Sequence, residues 1–299
     1  MKRPVKLRLA RADDIRVTGK RHHFLSRYEV GFNSQGVISG LDLELAAGCG
    51  MSPDLSGSIV DRAMFHADNA YYLGNARVIG HRVKTNTVSN TAFRGFGGPQ
   101  GMLGIERVID EIAHYLCKDP LEVRRANFYD SKASVGERSV TPYGMTVEDF
   151  ILDDIVSELV KTSEYPARRQ EIQNWNRKSA TLKRGIALTP VKFGISFTTI
   201  HLNQAGALVH IYTDGSVYLN HGGIEMGQGT HTKIAQLVAN SFGLPYNLVH
   251  ISSTNTSKVP NTSASAASST TDLNGAAALN LSLIHISEPT RRYASSYAV

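Results

Sequence analysis

Cysteine is nearly absent. Cys49 and Cys117 are the only two in 299 residues, too few for a disulfide framework or a cysteine metal knuckle. No apolar run approaches the ~20 residues that a membrane-spanning helix needs. The basic N-terminus (Lys2, Arg3, Lys6, Arg8, Arg11) has no apolar segment behind it, so it does not read as a secretory signal. A reducing cytoplasm is the expected location, with no membrane partner. The histidines lack metal-site spacing: His22 and His23 are adjacent and would point to opposite faces of a strand, while His221 and His231 flank a glycine loop with no cysteine nearby. Charged residues make up 19% and hydrophobic residues 41%, a globular composition with length for about two domains. The net charge is +6, but the positive residues are scattered and no basic stretch is interleaved with aromatics. A nucleic-acid partner is therefore not expected; a basic face in a larger assembly, or one guiding anionic substrates, accounts for the charge.

What is present is a set of short strands, helices and two glycine loops. Val5–Ala10 alternates and reads as a strand. His23–Phe32 and Val37–Ala47 flank the turn cluster Asn33-Ser34-Gln35-Gly36 and predict a hairpin. Ser56–His66 reads as a helix. Asp119-Pro120-Leu121-Glu122 has an N-cap Asp, Pro at the first position and Glu at the third, predicting a helix to about Phe128. Residues 131–145 read as loop, Thr146-Val147-Glu148-Asp149 as a capping start ahead of the stripe Phe150, Ile151, Ile155 and Leu159, and Pro166–Ser179 as a polar helix holding Trp175. Beyond Lys183, Gly185–Val191 reads as a strand. Leu208–Tyr212 and Ser216–Asn220 bracket Asp214-Gly215, a hairpin signal. The loop Gly222–Gly229 feeds a helix Thr230–Phe242, a strand Leu248–Ser252 follows, and a serine- and alanine-rich loop from Asn255 to Thr271 precedes a small-residue helix. No repeat of solenoid length is visible.

The most informative run is Thr91-Ala92-Phe93-Arg94-Gly95-Phe96-Gly97-Gly98-Pro99-Gln100-Gly101. Glycine lets backbone approach a ligand closely because no Cβ intervenes, and Pro99 suits the first turn of a helix. From Met102 the apolar residues fall at helical spacing: Ile105, Val108, Ile109, Ile112 and Leu116. A glycine loop entering a helix N-terminus suits an anion or polar cofactor. The run lacks the Gly-Lys-Ser/Thr ending of a phosphate loop and does not match a dinucleotide fingerprint.

The segment Phe93–Gln100 resembles a signature of the molybdenum hydroxylases, specifically the molybdopterin-binding part of xanthine dehydrogenase. The likeness runs from about Pro4 to Asn280. Further landmarks are Gly19–His22, Arg62–His66, Lys192–Phe197, Glu225–Gly229 and Val259–Ser263, in the family's order and approximate spacing. The resemblance implies an α+β fold of two mixed α/β domains, both incomplete: residues 1–130 from the first molybdopterin-binding domain, 131–182 a helical connector, and 183–280 from the second. It implies a molybdopterin cofactor with molybdenum, and in the complete enzyme 2Fe-2S clusters and FAD. The implied partners are a purine substrate, an iron–sulfur/FAD subunit or domain, and a second copy in a dimer.

The resemblance also implies roles. Phe96 and Phe197 would sandwich a flat substrate, as aromatic faces do. Arg62 would meet a purine oxygen where negative charge develops, a task suited to a guanidinium, and Thr198 would hydrogen-bond the substrate. The backbone at Arg94 would approach the molybdenum ligands, and Gln228 would bond the pterin or a metal ligand. Ala266 and Ala267 would leave room beside the metal, with Ser268, Ser269 and Thr270 offering donors to the cofactor. Arg94 and Ala267 are thus the residues implied nearest the metal, which this family holds through the pterin dithiolene. Aldehyde oxidases typically lack an arginine at the position of Arg62, so its presence favours a purine.

The implied reaction is base-assisted hydroxylation of hypoxanthine or xanthine, with electrons leaving through iron–sulfur clusters and FAD to NAD. The family's base glutamate is expected beyond position 280 and a second, substrate-orienting glutamate before position 1, so no catalytic base is expected within these residues, and the isolated fragment is expected to be inactive. From Leu281 the family likeness stops, and residues 281–299 are expected to be a non-native tail. Two other readings stay open: a molybdenum hydroxylase acting on aldehydes or another N-heterocycle, and a non-catalytic anion-binding module.

Overall fold

The computed structural model describes residues 3, 5–130, 138–255, 257–258 and 261–287. It divides into two compact units, Met1–Gly194 and Ile195–Val299.

In the first unit, helix α1 (Arg11–Val17) precedes strands β1 (Phe24–Phe32) and β2 (Ile38–Gly50), which form the anticipated antiparallel hairpin. Helix α2 (Ser56–Phe65) then crosses over to β3 (Ala76–Lys84), which pairs with β2 in parallel, so the sheet order is β1-β2-β3. A parallel pair requires such a crossover. Leu41, Leu43, Leu45 and Ala47 alternate along β2 and are buried, as a period of two dictates. They meet the apolar stripe of α3 (Gly98–Tyr115), where Ile105, Val108, Ile109 and Ile112 are buried in the same core. Helix α4 (Pro120–Asn127) starts as its sequence announces: the Asp119 carboxylate accepts from Leu121 N–H at 2.8 Å. Helices α5 (Leu152–Thr162) and α6 (Tyr165–Lys178) follow.

The second unit repeats the scheme. Strands β4 (Ala207–Ile211) and β5 (Val217–His221) form an antiparallel hairpin; α7 (Thr230–Phe242) crosses over to β6 (Val249–Ile251), parallel to β5. Helix α8 (Thr270–Ser287) packs on α7 and β4, as α3 packs on α2 and β1. Both units thus read hairpin, crossover helix, parallel strand, loop, packing helix.

Four expectations change. Residues 5–10 form no strand, and α1 begins directly after them; Val5 and Leu7 are exposed, so nothing there pays for an alternating face. Residues 185–191 are irregular rather than a strand. Ile186 and Leu188 there pack into the core of the first unit, without a sheet partner. Thr146 does not open a helix: it bridges Val140, and α5 starts six residues later with Asp153 and Asp154 in its first turn. Its inward row is buried Val156 with half-buried Leu152 and Val160, leaving Ile151, Ile155 and Leu159 exposed. Strand β3 was not anticipated, because Ala76–Lys84 is largely solvent-facing and carries no clean alternation. Val259, Pro260, Pro289 and the segment 288–299 lie outside the described residues, while Leu281 is buried in the second core.

Candidate cofactor and substrate site

The first glycine loop is built on left-handed backbone. Gly95, Phe96 and Gly97 have φ of +93°, +52° and +97°, a conformation costly for a phenylalanine. Phe96 N–H donates to Phe93 C=O at 2.8 Å and Gly98 N–H to Gly95 C=O at 3.0 Å. The Arg21 guanidinium lies 4.3 Å from the Phe93 ring centroid and donates to Arg94 C=O at 2.6 Å. Phe96 is buried and the Arg94 side chain exposed.

The glycines serve a neighbour rather than open space. A Cβ on Gly97 would fall 2.0 Å from Ile59 O, and one on Gly101 2.1 Å from Ala63 O, both on α2. The opening amides of α3 are also engaged: Gln100 and Gly101 N–H both reach Gly97 C=O at 3.1 Å, and Pro99 has no N–H to offer. The anion-ready helix start suggested by the sequence is therefore occupied by its own turn.

Arg62 sits on α2 and is 3% exposed. Its guanidinium donates to Gly194 C=O and lies 4.9 Å from the Phe193 ring centroid. Burial lowers its pKa, yet a guanidinium stays protonated in proteins. The residues following Arg62 grip the same segment. Asn69, at φ +42°, accepts from Lys192 N–H at 3.0 Å and donates to Pro190 C=O at 2.9 Å. Lys192 Nζ reaches Asp68 Oδ2 at 2.5 Å, and Gly194 N–H donates to His66 Nε2 at 3.0 Å. The landmark Arg62–His66 and the first half of the landmark Lys192–Phe197 are thus one structure.

In the second unit, Ser196 N–H donates to Ala267 C=O at 2.9 Å, which brings the Phe197-Thr198 segment to the serine- and alanine-rich loop. Asn203 brackets Phe197, accepting from its N–H at 2.8 Å and donating to its C=O at 2.9 Å. Phe197 is half-buried on irregular backbone, not in a strand, and Thr198 is exposed. The loop 222–229 is joined to the same place by Ile224 N–H donating to Ser265 Oγ at 2.7 Å. Glu225 organises that loop. Its carboxylate accepts from the N–H groups of Gly227 (2.8 Å), Gly229 (3.0 Å) and His231 (3.0 Å), and these backbone bonds hold its pKa down at about 2. The Gln228 amide folds onto its own loop, donating to Ile224 C=O at 2.7 Å and accepting from Met226 N–H at 2.5 Å. His221 is buried 3.1 Å from His231, and burial lowers its pKa to about 4.

Ala267 and Ser268 have φ of +57° and +56°, one residue short of α8, resembling the left-handed residues that lead into α3. Here the outcome differs. The N–H groups of Thr270, Thr271 and Asp272 find no acceptor among the described residues, as expected for a first helical turn without a cap. Small side chains at 266–267, hydroxyls at 268–270 and helix-start amides fit a polar, anionic cofactor. The second unit therefore assembles Phe197, Thr198, Gln228, Ala266, Ala267 and Ser268, while Arg62, Arg94 and Phe96 belong to the first.

Sequence reasoning missed His66, Asn69, Asn203 and Glu225 as organisers of these loops. Glu225 had a signal, an acidic residue among glycines just before a helix start, and His66 closed the landmark Arg62–His66; Asn69 and Asn203 had none, because their partners are distant in the chain or are backbone atoms.

Two ββαβ units with left-handed loops entering their packing helices form a pair of α/β cofactor-binding units. Two family models match, each described as a molybdopterin cofactor-binding domain, over residues 1–128 and 158–294. The chain belongs to the molybdopterin cofactor-binding family of the molybdenum hydroxylases. Among its curated relatives it is 49% identical over 280 residues to "Xanthine dehydrogenase 1" of Arabidopsis thaliana, covering 94% of this chain and 20% of that one. It is 48% identical over 275 residues to "Xanthine dehydrogenase/oxidase" of Mus musculus, covering 92% of this chain and 20% of that one. The chain thus spans about a fifth of the length of these relatives. The fold is that of quinoline 2-oxidoreductase from Pseudomonas putida 86, with a TM-score of 0.78 at 19% identity over 92% of this chain and 36% of that one. It is also that of the aldehyde oxidoreductase from Desulfovibrio desulfuricans, with a TM-score of 0.73 at 24% identity over 87% and 28%. Among the described residues no helix is long and apolar enough to cross a membrane.

Proposed function

We propose that this chain supplies cofactor-holding and substrate-orienting residues to a xanthine dehydrogenase that hydroxylates hypoxanthine and xanthine. The molybdenum cofactor, when bound, supplies the two-electron oxidation. The loop into α8 holds it in this reading: Ser268 and the helix-start amides of Thr270 and Thr271 donate to its anionic and polar atoms, and Ala266 and Ala267 leave space at its metal end. Gln228 adds an amide donor, and the backbone at Arg94 approaches the metal's ligands.

The substrate residues are Arg62, Phe96, Phe197 and Thr198. Phe96 and Phe197 offer flat faces to a purine, and Thr198, exposed, offers a hydroxyl. Arg62 carries the reading. A buried cation held against Phe193 and Gly194 C=O is oriented in advance for an oxygen that gains negative charge during reaction. The complete enzyme passes electrons to iron–sulfur clusters, FAD and NAD, works as a dimer, and resides in the cytoplasm.

The test is Arg62→Met in the full-length enzyme, with rates normalised to molybdenum content. Loss of one charge-stabilising donor lowers turnover of xanthine by about 10²–10³-fold while a neutral aldehyde loses far less. Equal losses on both substrates would remove the purine assignment.

A further inference from the structure

Helix α2 ends at Phe65, and the last carbonyls of a helix lack intrahelical N–H partners. Arg62 C=O is one of them. It is taken by a side chain, the His66 imidazole, whose Nδ1 lies 2.8 Å away. Nδ1 must therefore carry the proton, which makes Nε2 of the neutral ring an acceptor. That acceptor receives Gly194 N–H at 3.0 Å, while Gly194 C=O receives the Arg62 guanidinium. The bonds close a ring: Arg62 backbone to His66, His66 to Gly194, Gly194 back to the Arg62 side chain.

Phe193 fills this ring. Its ring centroid is 4.8 Å from that of His66, tilted 47° to it, and 4.9 Å from the Arg62 guanidinium carbon. From α3, a Cβ on Gly98 would come within 2.7 Å of it. Burial also keeps His66 neutral, its pKa lowered to about 4, so the acceptor at Nε2 persists through the physiological range. An arginine side chain has many rotamers and loses substantial entropy when fixed; here the orientation is set before any ligand arrives.

We infer that His66 is a positioning residue: by anchoring the Gly194 peptide it aims the Arg62 guanidinium, and so sets the preference for substrates whose oxygen gains charge. The inference rests on the substrate role proposed for Arg62.

The experiment compares His66→Phe, His66→Gln and Arg62→Met in the full-length holoenzyme, measuring kcat and KM for xanthine and for benzaldehyde per bound molybdenum. Phenylalanine keeps a ring against Phe193 and removes both polar bonds. Misaiming by about an ångström lowers kcat/KM for xanthine roughly 10- to 100-fold, with benzaldehyde changed by no more than about threefold. Glutamine, whose amide oxygen reaches the Nε2 position, restores most of the xanthine rate. Parallel loss on both substrates, unchanged xanthine kinetics in His66→Phe, or no recovery in His66→Gln overturns the inference. If His66→Phe binds no molybdenum, His66→Asn carries the test, since it keeps a donor to Arg62 C=O and lacks the acceptor for Gly194; selective xanthine loss supports the inference and parallel loss overturns it. Arg62→Met separates the two ideas. Should it discriminate while the His66 variants do not, the positioning role fails and the substrate role stands. Should it lose both substrates equally, the substrate role falls and the inference with it.

Discussion

Gly101 and Gly104 lie one turn apart on α3, and replacing each by alanine should move stability in opposite directions. In a helix interior alanine is favoured over glycine by about 1 kcal/mol, so propensity alone predicts two stabilised variants. The surroundings differ. A Cβ at Gly104 would rest 3.7 Å from Ser26 Oγ and 3.8 Å from Leu45 Cδ2, ordinary contact. A Cβ at Gly101 would lie 2.1 Å from Ala63 O and 3.0 Å from its carbonyl carbon. Backbone atoms cannot rotate aside, so α2 and α3 must separate. Such overpacking costs about 3 kcal/mol, which propensity offsets only in part. Gly101→Ala should therefore lose roughly 2 kcal/mol and Gly104→Ala gain up to about 1. Urea unfolding followed by tryptophan fluorescence measures this cleanly, because Trp175 is the only tryptophan and belongs to the first unit. Equal shifts of the same sign would refute the argument that backbone contact with α2, rather than room for a ligand, demands these glycines.

Acid should weaken the fold. His66 and His221 each have a pKa near 4 in the fold against 6.5 ordinarily, burial being the main cause. The folded state thus refuses a proton that the unfolded chain binds; the contribution is present above pH 6.5 and is lost as pH falls through 4, up to roughly 3 kcal/mol per histidine. Unfolding midpoints between pH 7.5 and 4.5 should fall, and less steeply in His66→Gln; a flat profile would contradict the burial argument. Arg124, almost fully buried, is 2.8 Å from both Glu106 and Asp110, and Tyr71 also donates to Glu106. Arg124→Met should cost about 3–5 kcal/mol by stranding Glu106, and adding Glu106→Gln should recover part of it; additive losses in thermal unfolding would count against coupling.

Local elements were readable wherever one strong signal acted over a few residues. The Asn33–Gly36 and Asp214-Gly215 turns marked their hairpins, Asp119-Pro120 marked α4, and the spacing from Met102 to Ile112 marked α3. Strand β3 escaped notice because a mostly exposed strand is held by its ladder to β2, not by a pattern of its own. Residues 185–191 misled for the converse reason: an apolar segment buries against any core that receives it, with or without a sheet.

Site residues follow the same division. Family likeness named Arg62, Phe96, Phe197 and the loop at 266–268 from local motifs. Its glycine loops looked like helix starts waiting for an anion, yet tertiary structure gives one set of amides to a turn and the other to Glu225. The sequence by itself determined the two hairpins, the helices α3, α4 and α7, the core stripe of α3 and the family, because these rest on signals close together along the chain. Tertiary structure alone decided which glycines meet backbone instead of ligand, which helix starts are engaged by a turn or by Glu225, and that His66 and Gly194 lock Arg62 in place. Those outcomes depend on contacts between residues far apart in sequence, and periodicity carries no information about them.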